Sequence, residues 1–533
     1  MDDLVRLRRF ICLGSEGGNY YTKEAKLTQD NAQAIARLLA AGRGPEVVKE
    51  LVEYSVAGRT AKQDPILFAL AMCVRCPDPK TKTAAYEAVG KICRIPTFLF
   101  TFVEFVEAMA AGSSGWGRGM RHAVGQWYSD KEPKDLAFTV TKYKQRNGWS
   151  HRDLLRLGHV KPADDGHQLV FKYLTKGAGI LEGFEVNEPK KVEAEFDLCD
   201  EPAPVENNVA VTLELLRTIE AVGKLTPESA RFEEVACEAI KRYHLAREHL
   251  PTPLLNSVAV WDALLEDMPL TAMIRNLSKM TTIGLLEEGK PQVARVVAKL
   301  QSEEQLKKAR IHPFNVLVAS KIYARGRGEK GSLTWNPVRA VCVALDKAFY
   351  LSFKNVEPTG QSVVVGLDVS GSMSCNVMGN DAISCREAAM AMSLVMARTE
   401  PECKMMAFTG ELVPLTGVSP QNTLEQNLTA IAGLPFGSTD CSLPMVWATQ
   451  NKVKADVFIV YTDNETYAGK MHPSQALVQY RREMKKPHAK LIVVGMAVNE
   501  FTIADPNDRG MLDIAGFDSA APEIMRNFML GLI

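Results

Sequence analysis

The chain has 533 residues, which is enough for roughly two to four domains with a large core. Its 63 basic residues equal its 63 acidic residues, so the total charge indicates no polyanionic partner and any basic surface must be local. We expect no signal peptide and no membrane segment, because the amino terminus lacks an apolar core and no run of about twenty apolar residues occurs. The eleven cysteines show no disulfide or zinc-finger spacing; we expect them to be mostly reduced, which favours the cell interior. The expected localisation is cytoplasmic and also nuclear.

Residues 22–350 carry apolar residues three or four positions apart in one segment after another, a pattern typical of amphipathic helices. Short breaks rich in Gly or Pro separate the segments, as at Gly42-Arg43-Gly44 and Pro77-Asp78-Pro79. Many short helices with few strand signals predict paired helices stacked as an α-solenoid. Because no fixed repeat period is visible, an irregular helical domain is the alternative. The predicted helices span 28–39, 45–54, 65–74, 80–93, 96–110, 209–222, 229–248, 254–265, 270–280, 291–300, 314–323 and 338–349.

Residues 118–161 are locally basic, with ten Lys or Arg against four acids, an excess of six positive charges. Basic side chains next to aromatic rings are typical of nucleic-acid contact, with charge for phosphate and rings for stacking on unpaired bases. The alternative is that Lys and Arg solvate a surface while the rings fill a core. The aromatic residues concerned are Trp116, Trp127, Tyr128, Tyr143 and Trp149.

Three local patterns follow within and after this stretch. Lys142 and Arg146 are four residues apart, so the sequence predicts that they share a helix face. Ser150-His151-Arg152-Asp153 has the pattern of a helix start. Acidic residues dominate 177–208, which also contains three prolines, and we predict a mobile acidic connection inside the helical domain.

Strands and helices alternate after Glu357-Pro358-Thr359-Gly360, which marks a predicted domain boundary. The alternation predicts a parallel sheet covered by helices. The predicted strands span 363–367, 404–408, 456–461 and 490–495, and the predicted helices span 381–398, 423–431, 474–485 and 522–530.

A carboxylate and two hydroxyls, Asp368, Ser370 and Ser372, directly follow the first of these strands. We expect them at the carboxyl end of the sheet, where open α/β folds bind ligands. One charge with neutral oxygens suits a hard cation such as Mg²⁺ and leaves coordination positions open. The alternative is a loop Asp beside helix-capping serines.

Two further segments complete the pattern. Phe436-Gly437-Ser438-Thr439-Asp440 is a glycine-containing loop with a hydroxyl, and Val457-Phe458-Ile459-Val460-Tyr461-Thr462-Asp463 reads as a second apolar strand ending in an acid. Strand-Asp, loop-Thr and strand-Asp in this order resemble the von Willebrand factor A domain with its metal-ion-dependent adhesion site. On that resemblance the metal ligands are Asp368, Ser370, Ser372, Thr439 and Asp463, and the ion is a divalent cation, Mg²⁺ by preference.

Long strings across the whole chain resemble the Ro autoantigen family of Y-RNA particle proteins. Among them are Arg6-Leu7-Arg8-Arg9-Phe10, the run from Lys142 to His151, the run from Lys307 to Phe314, and Asp508-Arg509-Gly510-Met511-Leu512-Asp513-Ile514. The resemblance implies that residues 1–356 form the TROVE module, a ring-like α-solenoid of HEAT-like helical repeats. It implies that residues 357–533 form an A-type domain with a doubly wound parallel sheet.

The resemblance also implies a function. Y RNA is expected on a basic outer face, and single-stranded ends of misfolded small noncoding RNA are expected in a central hole. The protein would be a monomeric scaffold in small-RNA quality control, and not an enzyme. One alternative is a metal-dependent interaction module that binds a carboxylate of a protein partner. Another is a phosphohydrolase, although Ser370 occupies the position at which such enzymes have a second acid. The expected RNA-binding residues are Lys142, Arg146, His159, Lys144, Arg118 and Arg121.

Overall fold

The computed structural model describes residues 1–22, 27–60, 62–110, 112, 115–184, 208–229, 231–329, 331–434, 437–463, 468–497 and 503–533. Most of the predicted acidic connection at 177–208 lies outside these ranges. The chain divides into two compact units. One comprises residues 38–56 and 66–267, and the other comprises residues 1–37, 57–65 and 268–533. Across the described ranges, each helix is either too short or too polar to span a bilayer.

Residues 22–350 are mainly helical where the structure describes them, as predicted, and one further helix, α1 (Asp3–Leu13), precedes them. The elements in chain order are α1 Asp3–Leu13, β1 Asn19–Tyr21, α2 Gln33–Ala40, α3 Gly44–Val56, α4 Asp64–Arg75, α5 Pro79–Ile92, α6 Pro96–Ala108, α7 Arg118–Ser129, α8 Pro133–Lys142, β2 Gln145–Arg146, β3 Trp149–Ser150, α9 His151–Gly158, α10 Asp165–Lys176, α11 Asn208–Gly223, α12 Phe232–Tyr243, α13 Val258–Asp267, α14 Leu270–Thr282, α15 Pro291–Leu300, α16 Glu303–Lys308, α17 Pro313–Arg325 and α18 Arg339–Leu351.

Helices of the 38–56 and 66–267 unit pack side by side in sequence. α3 packs on α5, α5 on α7, and α7 on α9, while α8 packs on α11. Their shared core buries large side chains such as Phe100, Trp127 and Tyr128, and the Trp127 indole donates to the Cys93 carbonyl at 2.5 Å. This neighbour-on-neighbour stacking is the packing expected of helical repeats.

The remainder alternates between strands and helices. The elements are β4 Ser362–Asp368, α19 Cys385–Thr399, β5 Glu402–Phe408, β6 Leu412–Val413, α20 Leu424–Ile431, α21 Leu443–Gln450, β7 Val457–Thr462, α22 Pro473–Glu483, β8 Lys490–Gly495, β9 Met511–Ala515 and α23 Ala521–Met529. The fold class predicted from the sequence, a helix-rich region followed by an α/β domain with a largely parallel sheet, is therefore confirmed. Closure of the helices into a ring, and the boundary at 356/357, stay predictions.

A seven-stranded sheet organises the larger unit, in the order β1-β9-β8-β7-β4-β5-β6. All neighbouring pairs are parallel except β5 and β6. The chain runs from β4 to β5 on one side and returns to β7 on the other, so the strand order reverses at the β4–β7 boundary. Gly366 of β4 leaves room for α21, because a Cβ there would lie 2.5 Å from the Pro444 side chain. The reversal point is where open α/β sheets bind ligands.

The amino-terminal segment is part of this sheet, which the sequence pattern did not indicate. β1 pairs in parallel with β9, with Tyr20 opposite Ile514. The Tyr20 side chain is buried and its hydroxyl donates to Asp518 at 2.9 Å. Arg9 of α1 is also buried, and its guanidinium donates to the carbonyls of Arg509 and Met511, which come just before and at the start of β9. The first 22 residues therefore cover the edge of the sheet.

Replacing Tyr20 tests this contribution. Tyr20→Ala should lower the free energy of unfolding by about 3–5 kcal/mol, because a buried ring leaves a cavity. Tyr20→Phe should cost only about 1 kcal/mol, the worth of one hydrogen bond. Urea unfolding followed by circular dichroism measures both, with Tyr21→Phe at the neighbouring half-buried position as a control. An unchanged midpoint for Tyr20→Ala would show that β1 does not support the sheet.

Candidate nucleic-acid interface and candidate metal centre

The basic stretch contains a β-hairpin where the sequence predicted a helix. Helix α8 ends at Lys142, and Arg146 lies in strand β2, so the prediction that these two share a helix face is wrong. Strands β2 and β3 pair antiparallel, and Asn147 and Gly148 connect them with φ angles of 52° and 78°. Two consecutive positive φ angles are the signature of a type I′ turn, for which Asn-Gly is the favoured sequence. That dipeptide was the sequence signal for the hairpin.

The hairpin and the residue directly before it carry two cations and an indole. Arg146 lies directly opposite Trp149 in the antiparallel register, so their side chains share a face. Lys144 lies directly before β2, two residues from Arg146. Lys144 and Arg146 are exposed, and Trp149 is half-buried. We name Lys144, Arg146 and Trp149 the hairpin face.

The cations of this region are not neutralised by neighbouring acids. Within the described part of the chain, none of the six predicted RNA-binding side chains forms an ion pair with Asp or Glu. Lys142 is half-buried at the end of α8, with its ammonium 5.3 Å from the Tyr143 ring centroid. The charge of the hairpin face is therefore available to a ligand.

The turn is fastened to helix α6. The Asn147 side-chain amide donates to Glu104 at 2.6 Å and to Thr101 at 3.3 Å. Strands β2 and β3 both contact α6. These bonds use the Asn147 side chain and leave Lys144 and Arg146 unengaged.

His151 anchors the base of the hairpin and is not a ligand-contacting residue. It is buried, with Nε2 2.9 Å from the Tyr143 carbonyl and Nδ1 2.7 Å from the Tyr128 hydroxyl. Because a carbonyl can only accept, Nε2 carries the hydrogen, and in the neutral form of the ring Nδ1 accepts from the Tyr128 hydroxyl. Burial lowers the pKa of His151 from 6.5 to about 4, and the nearby Lys131 adds to the effect.

The other predicted RNA-binding residues lie on neighbouring elements of the same unit. Arg118 and Arg121 are exposed in the first turn of α7. His159 is exposed as the residue that ends α9, with φ 47°. Helix α7 packs on α9, and α9 follows β3 directly, so the structure brings these residues onto adjoining elements.

Part of the aromatic set belongs to the core. Trp116, Trp127 and Tyr128 are buried, so these three rings fill the core, as the alternative interpretation of the basic stretch expects. Lys131 is also structural: its ammonium donates to the Trp127 carbonyl at 2.7 Å and lies 3.4 Å from the ring centroid. Burial lowers the pKa of Lys131 to about 8. Tyr143 and Trp149 remain as half-buried rings beside the cations.

In the larger unit, the sheet brings the predicted metal ligands together. Asp368 ends β4, and Asp463 directly follows β7. These two strands are neighbours in the sheet, at the point where the strand order reverses. Ser370 lies directly before the short 3-10 helix Gly371–Ser374, and Ser372 lies within it. Thr439 comes from the loop before α21; Phe436 of the predicted loop is outside the described residues.

Hydrogen bonds connect all five residues. The Ser370 amide donates to Asp368 Oδ1 at 2.8 Å, and the Thr439 hydroxyl lies 3.4 Å from Asp368 Oδ2. The Ser370 and Ser372 hydroxyls are 3.0 Å apart, and Ser372 donates to Asp463 Oδ1 at 3.2 Å. The arrangement is a compact cluster of oxygens from two carboxylates and three hydroxyls.

This cluster has the electrostatics of a cation site. Asp368 and Asp463 are buried, and in the described ranges neither forms an ion pair with a basic side chain. Burial raises the pKa of Asp368, and the charge of Asp463 adds to the effect. Ser372 is exposed above the two carboxylates, so the cluster is open to solvent on that side. Oxygen donors around uncompensated negative charge fit a hard divalent cation.

Two residues of the site were not found from the sequence. Thr462 is fully buried and its hydroxyl donates to Asp368 Oδ2 at 2.7 Å, which holds the carboxylate in place. Arg386 of α19 donates to the Ser370 carbonyl at 3.3 Å and so ties the turn to that helix. The position of Thr462, directly before Asp463 at the end of a strand, was a usable signal; Arg386 had none.

Comparisons with known proteins agree with this architecture. The TROVE domain family model matches residues 1–322, and the Ro60 vWA domain family model matches residues 362–529. The chain is 41% identical to "RNA-binding protein RO60" of Caenorhabditis elegans, over 100% of this chain and 89% of that protein. It is 37% identical to "RNA-binding protein RO60" of Deinococcus radiodurans, over 100% and 93%. It also superimposes on the crystal structure of the Deinococcus radiodurans RO (RSR) protein with a TM-score of 0.86 and 35% identity, covering 100% of each chain.

The lowered pKa of His151 predicts an acid-sensitive hairpin base. A histidine whose pKa is lower in the folded state than its unfolded value binds protons preferentially when unfolded. The neutral His151 ring therefore contributes roughly 3 kcal/mol to the free energy of unfolding above pH 6.5. This contribution is lost as the pH falls toward about 4. Unfolding free energies measured across this window should depend less steeply on pH in His151→Phe than in the wild type. Exposed His122→Gln is the control, and equal slopes for wild type and His151→Phe would contradict the assignment.

Proposed function

The chain belongs to the Ro60 family of TROVE-domain proteins, and on that premise we propose that it is an RNA-binding scaffold of ribonucleoprotein particles. The observation that carries the proposal is the hairpin face, where two exposed cations without acidic partners stand beside an indole. The names of the relatives support the same reading.

The ligands we propose are Y RNA and misfolded small noncoding RNA. Phosphates would pair with Lys144 and Arg146, and the planar guanidinium of Arg146 suits bidentate contacts with phosphate oxygens. Trp149 and Tyr143 offer partly exposed rings on which unpaired bases can stack. Lys142, Arg118, Arg121 and His159 would extend the surface along α7, α8 and α9.

The proposed selectivity is for RNA shape and for unpaired segments. A two-stranded hairpin and helix ends cannot read the deep, narrow major groove of A-form RNA. Contacts to phosphate and stacked bases are nearly independent of sequence. Quality control of small RNAs follows if misfolded RNAs expose unpaired ends that correctly folded ones bury. The scaffold has no catalytic step, and cleavage of labelled RNA by the purified protein would contradict it.

A salt series tests the hairpin face directly. The double variant Lys144→Ala, Arg146→Ala should weaken Y-RNA binding and reduce the slope of log affinity against log salt by roughly one to two, because fewer counterions are released. The matched control is Lys80→Ala, Lys91→Ala, which removes two exposed lysines of α5 outside the basic stretch. Unchanged affinity and slope in the hairpin variant would remove this face from the RNA site.

We also propose that the five-residue oxygen cluster binds Mg²⁺ or a similar divalent cation. Asp368, Ser370, Ser372, Thr439 and Asp463 would hold the ion, and its charge would offset the cost of burying two carboxylates. The open side at Ser372 supports a second function, capture of a protein partner through a carboxylate on the bound cation. RNA binding and partner binding would then use separate surfaces of the protein.

Metal binding should appear as stabilisation. At Mg²⁺ concentrations about 100-fold above the dissociation constant, the free energy of unfolding should rise by about 2.7 kcal/mol. Asp368→Asn should abolish the increase while retaining Y-RNA affinity, because the variant removes a ligand charge from the metal cluster only. Asp30→Asn, at an exposed Asp of the same unit and distant in sequence from the cluster, is the control. An increase of the same size in Asp368→Asn would place the ion elsewhere.

A further inference from the structure

Two cysteines meet beside the metal cluster. The sulfur atoms of Cys375 and Cys385 are 3.6 Å apart. Cys375 is exposed, and Cys385 is buried as the first residue of α19. An oxidant in solution can therefore reach Cys375, while the buried Cys385 sulfur lies next to it.

The backbone between them has the geometry of a small antiparallel ladder. Asn376 and Ser384 form a β-bridge, and the Cys385 amide donates to the Cys375 carbonyl at 2.9 Å. The two cysteines are thus the next pair directly opposite each other. Hydrogen-bonded pairs in such ladders have Cα atoms about 5.5 Å apart. Disulfides form across Cα separations of about 4.4–6.8 Å, so the backbone needs little movement to join these residues.

Several contacts hold this segment in place. Asp381, within the loop that joins the two cysteines, pairs with Arg325 at 2.8 Å. Glu387, two residues beyond Cys385, pairs with Lys321 at 2.8 Å and completes the capping box of α19. Arg325 and Lys321 both belong to α17, so both ion pairs connect this segment to that helix. The folded chain therefore holds the two thiols near each other.

We propose that Cys375 and Cys385 are an oxidant-sensing dithiol that forms an intramolecular disulfide with hydrogen peroxide. The Cys375 thiolate attacks one peroxide oxygen, the O–O bond breaks, and hydroxide leaves, so that the sulfur becomes a sulfenic acid. The Cys385 sulfur then attacks the Cys375 sulfur and displaces the hydroxyl group. That hydroxyl takes up the Cys385 proton and leaves as water. Overall, two thiols and one peroxide give one disulfide and two waters.

The disulfide would tie the metal-binding turn to helix α19. The Cys375 amide donates to the Ser372 carbonyl at 2.9 Å, so the exposed cysteine directly continues the turn that carries Ser370 and Ser372. Oxidation would close the connection at residues 375–385 into a covalent ring. A reversible disulfide of this kind suits a protein kept in a reducing compartment, where such bonds are transient and redox-sensing.

Peptide mass spectrometry tests the proposal on the full-length protein. The next tryptic sites are Lys354 and Arg386, so both cysteines fall in the peptide 355–386, which contains no other cysteine. After treatment with equimolar hydrogen peroxide, unfolding and alkylation, most of this peptide should lack two hydrogens and carry no alkyl group. Reduction before alkylation should restore two alkyl groups.

Two variants make the result specific. In Cys375→Ser, Cys385 should remain alkylatable after the same treatment. In Cys403→Ser, which removes a half-buried cysteine of β5, the disulfide should form as in the wild type. Cys375 recovered as a sulfinic acid, as a link between two protein molecules, or still reduced would each overturn the proposal.

Discussion

The turn at Asn147 and Gly148 is the constraint on which the candidate RNA surface depends. Both residues have positive φ angles, which reverse the chain within two residues and set Arg146 opposite Trp149. The Asn147 amide is bound to Glu104, and the base of the hairpin is bound through His151 to the Tyr143 carbonyl. Anchors that use an amide, a backbone carbonyl and a buried imidazole leave the cationic side chains free. A chain with no net charge can thereby present a local excess of positive charge.

The oxygen cluster at the end of the sheet differs from the hairpin face in the sign and the burial of its charge. There the fold buries negative charge and leaves it without a basic partner among the described residues, a free-energy cost that the proposed cation would offset. Thr462 and the Ser370 amide orient Asp368 through hydrogen bonds, so the site is prepared by the protein itself. The two sites thus have opposite charges and lie in different compact units.

Much of this organisation was predictable from the sequence. Helix periodicity located most helices to within a few residues, because burying one apolar stripe per helix is a local requirement. The strand ending in Asp368 and the strand directly before Asp463 were recognisable for a similar reason, since both are short, continuous apolar runs. Their adjacency in the sheet explains why residues 95 positions apart, 463 minus 368, converge on one cluster.

The failures came from features that local patterns do not encode. Strand β1 has only three residues and exists because β9 offers it an edge, a pairing across almost the whole chain. The four-residue spacing of Lys142 and Arg146 wrongly suggested a helix face, because turn chemistry at the Asn-Gly dipeptide overrides side-chain periodicity. Composition likewise could not separate Trp127, a core residue, from Trp149 on the hairpin face.

Ultraviolet crosslinking of the protein to bound Y RNA, followed by peptide mass spectrometry, is the most direct test of the central claim that the hairpin face contacts RNA. Cleavage after Arg146 and Arg152 isolates Trp149 in a six-residue peptide, 147–152, so a crosslinked nucleotide can be assigned to it. We predict nucleotide adducts on this peptide that disappear when unlabelled Y RNA competes. Adducts confined to peptides outside residues 118–161, with 147–152 unmodified in a saturated complex, would contradict the claim.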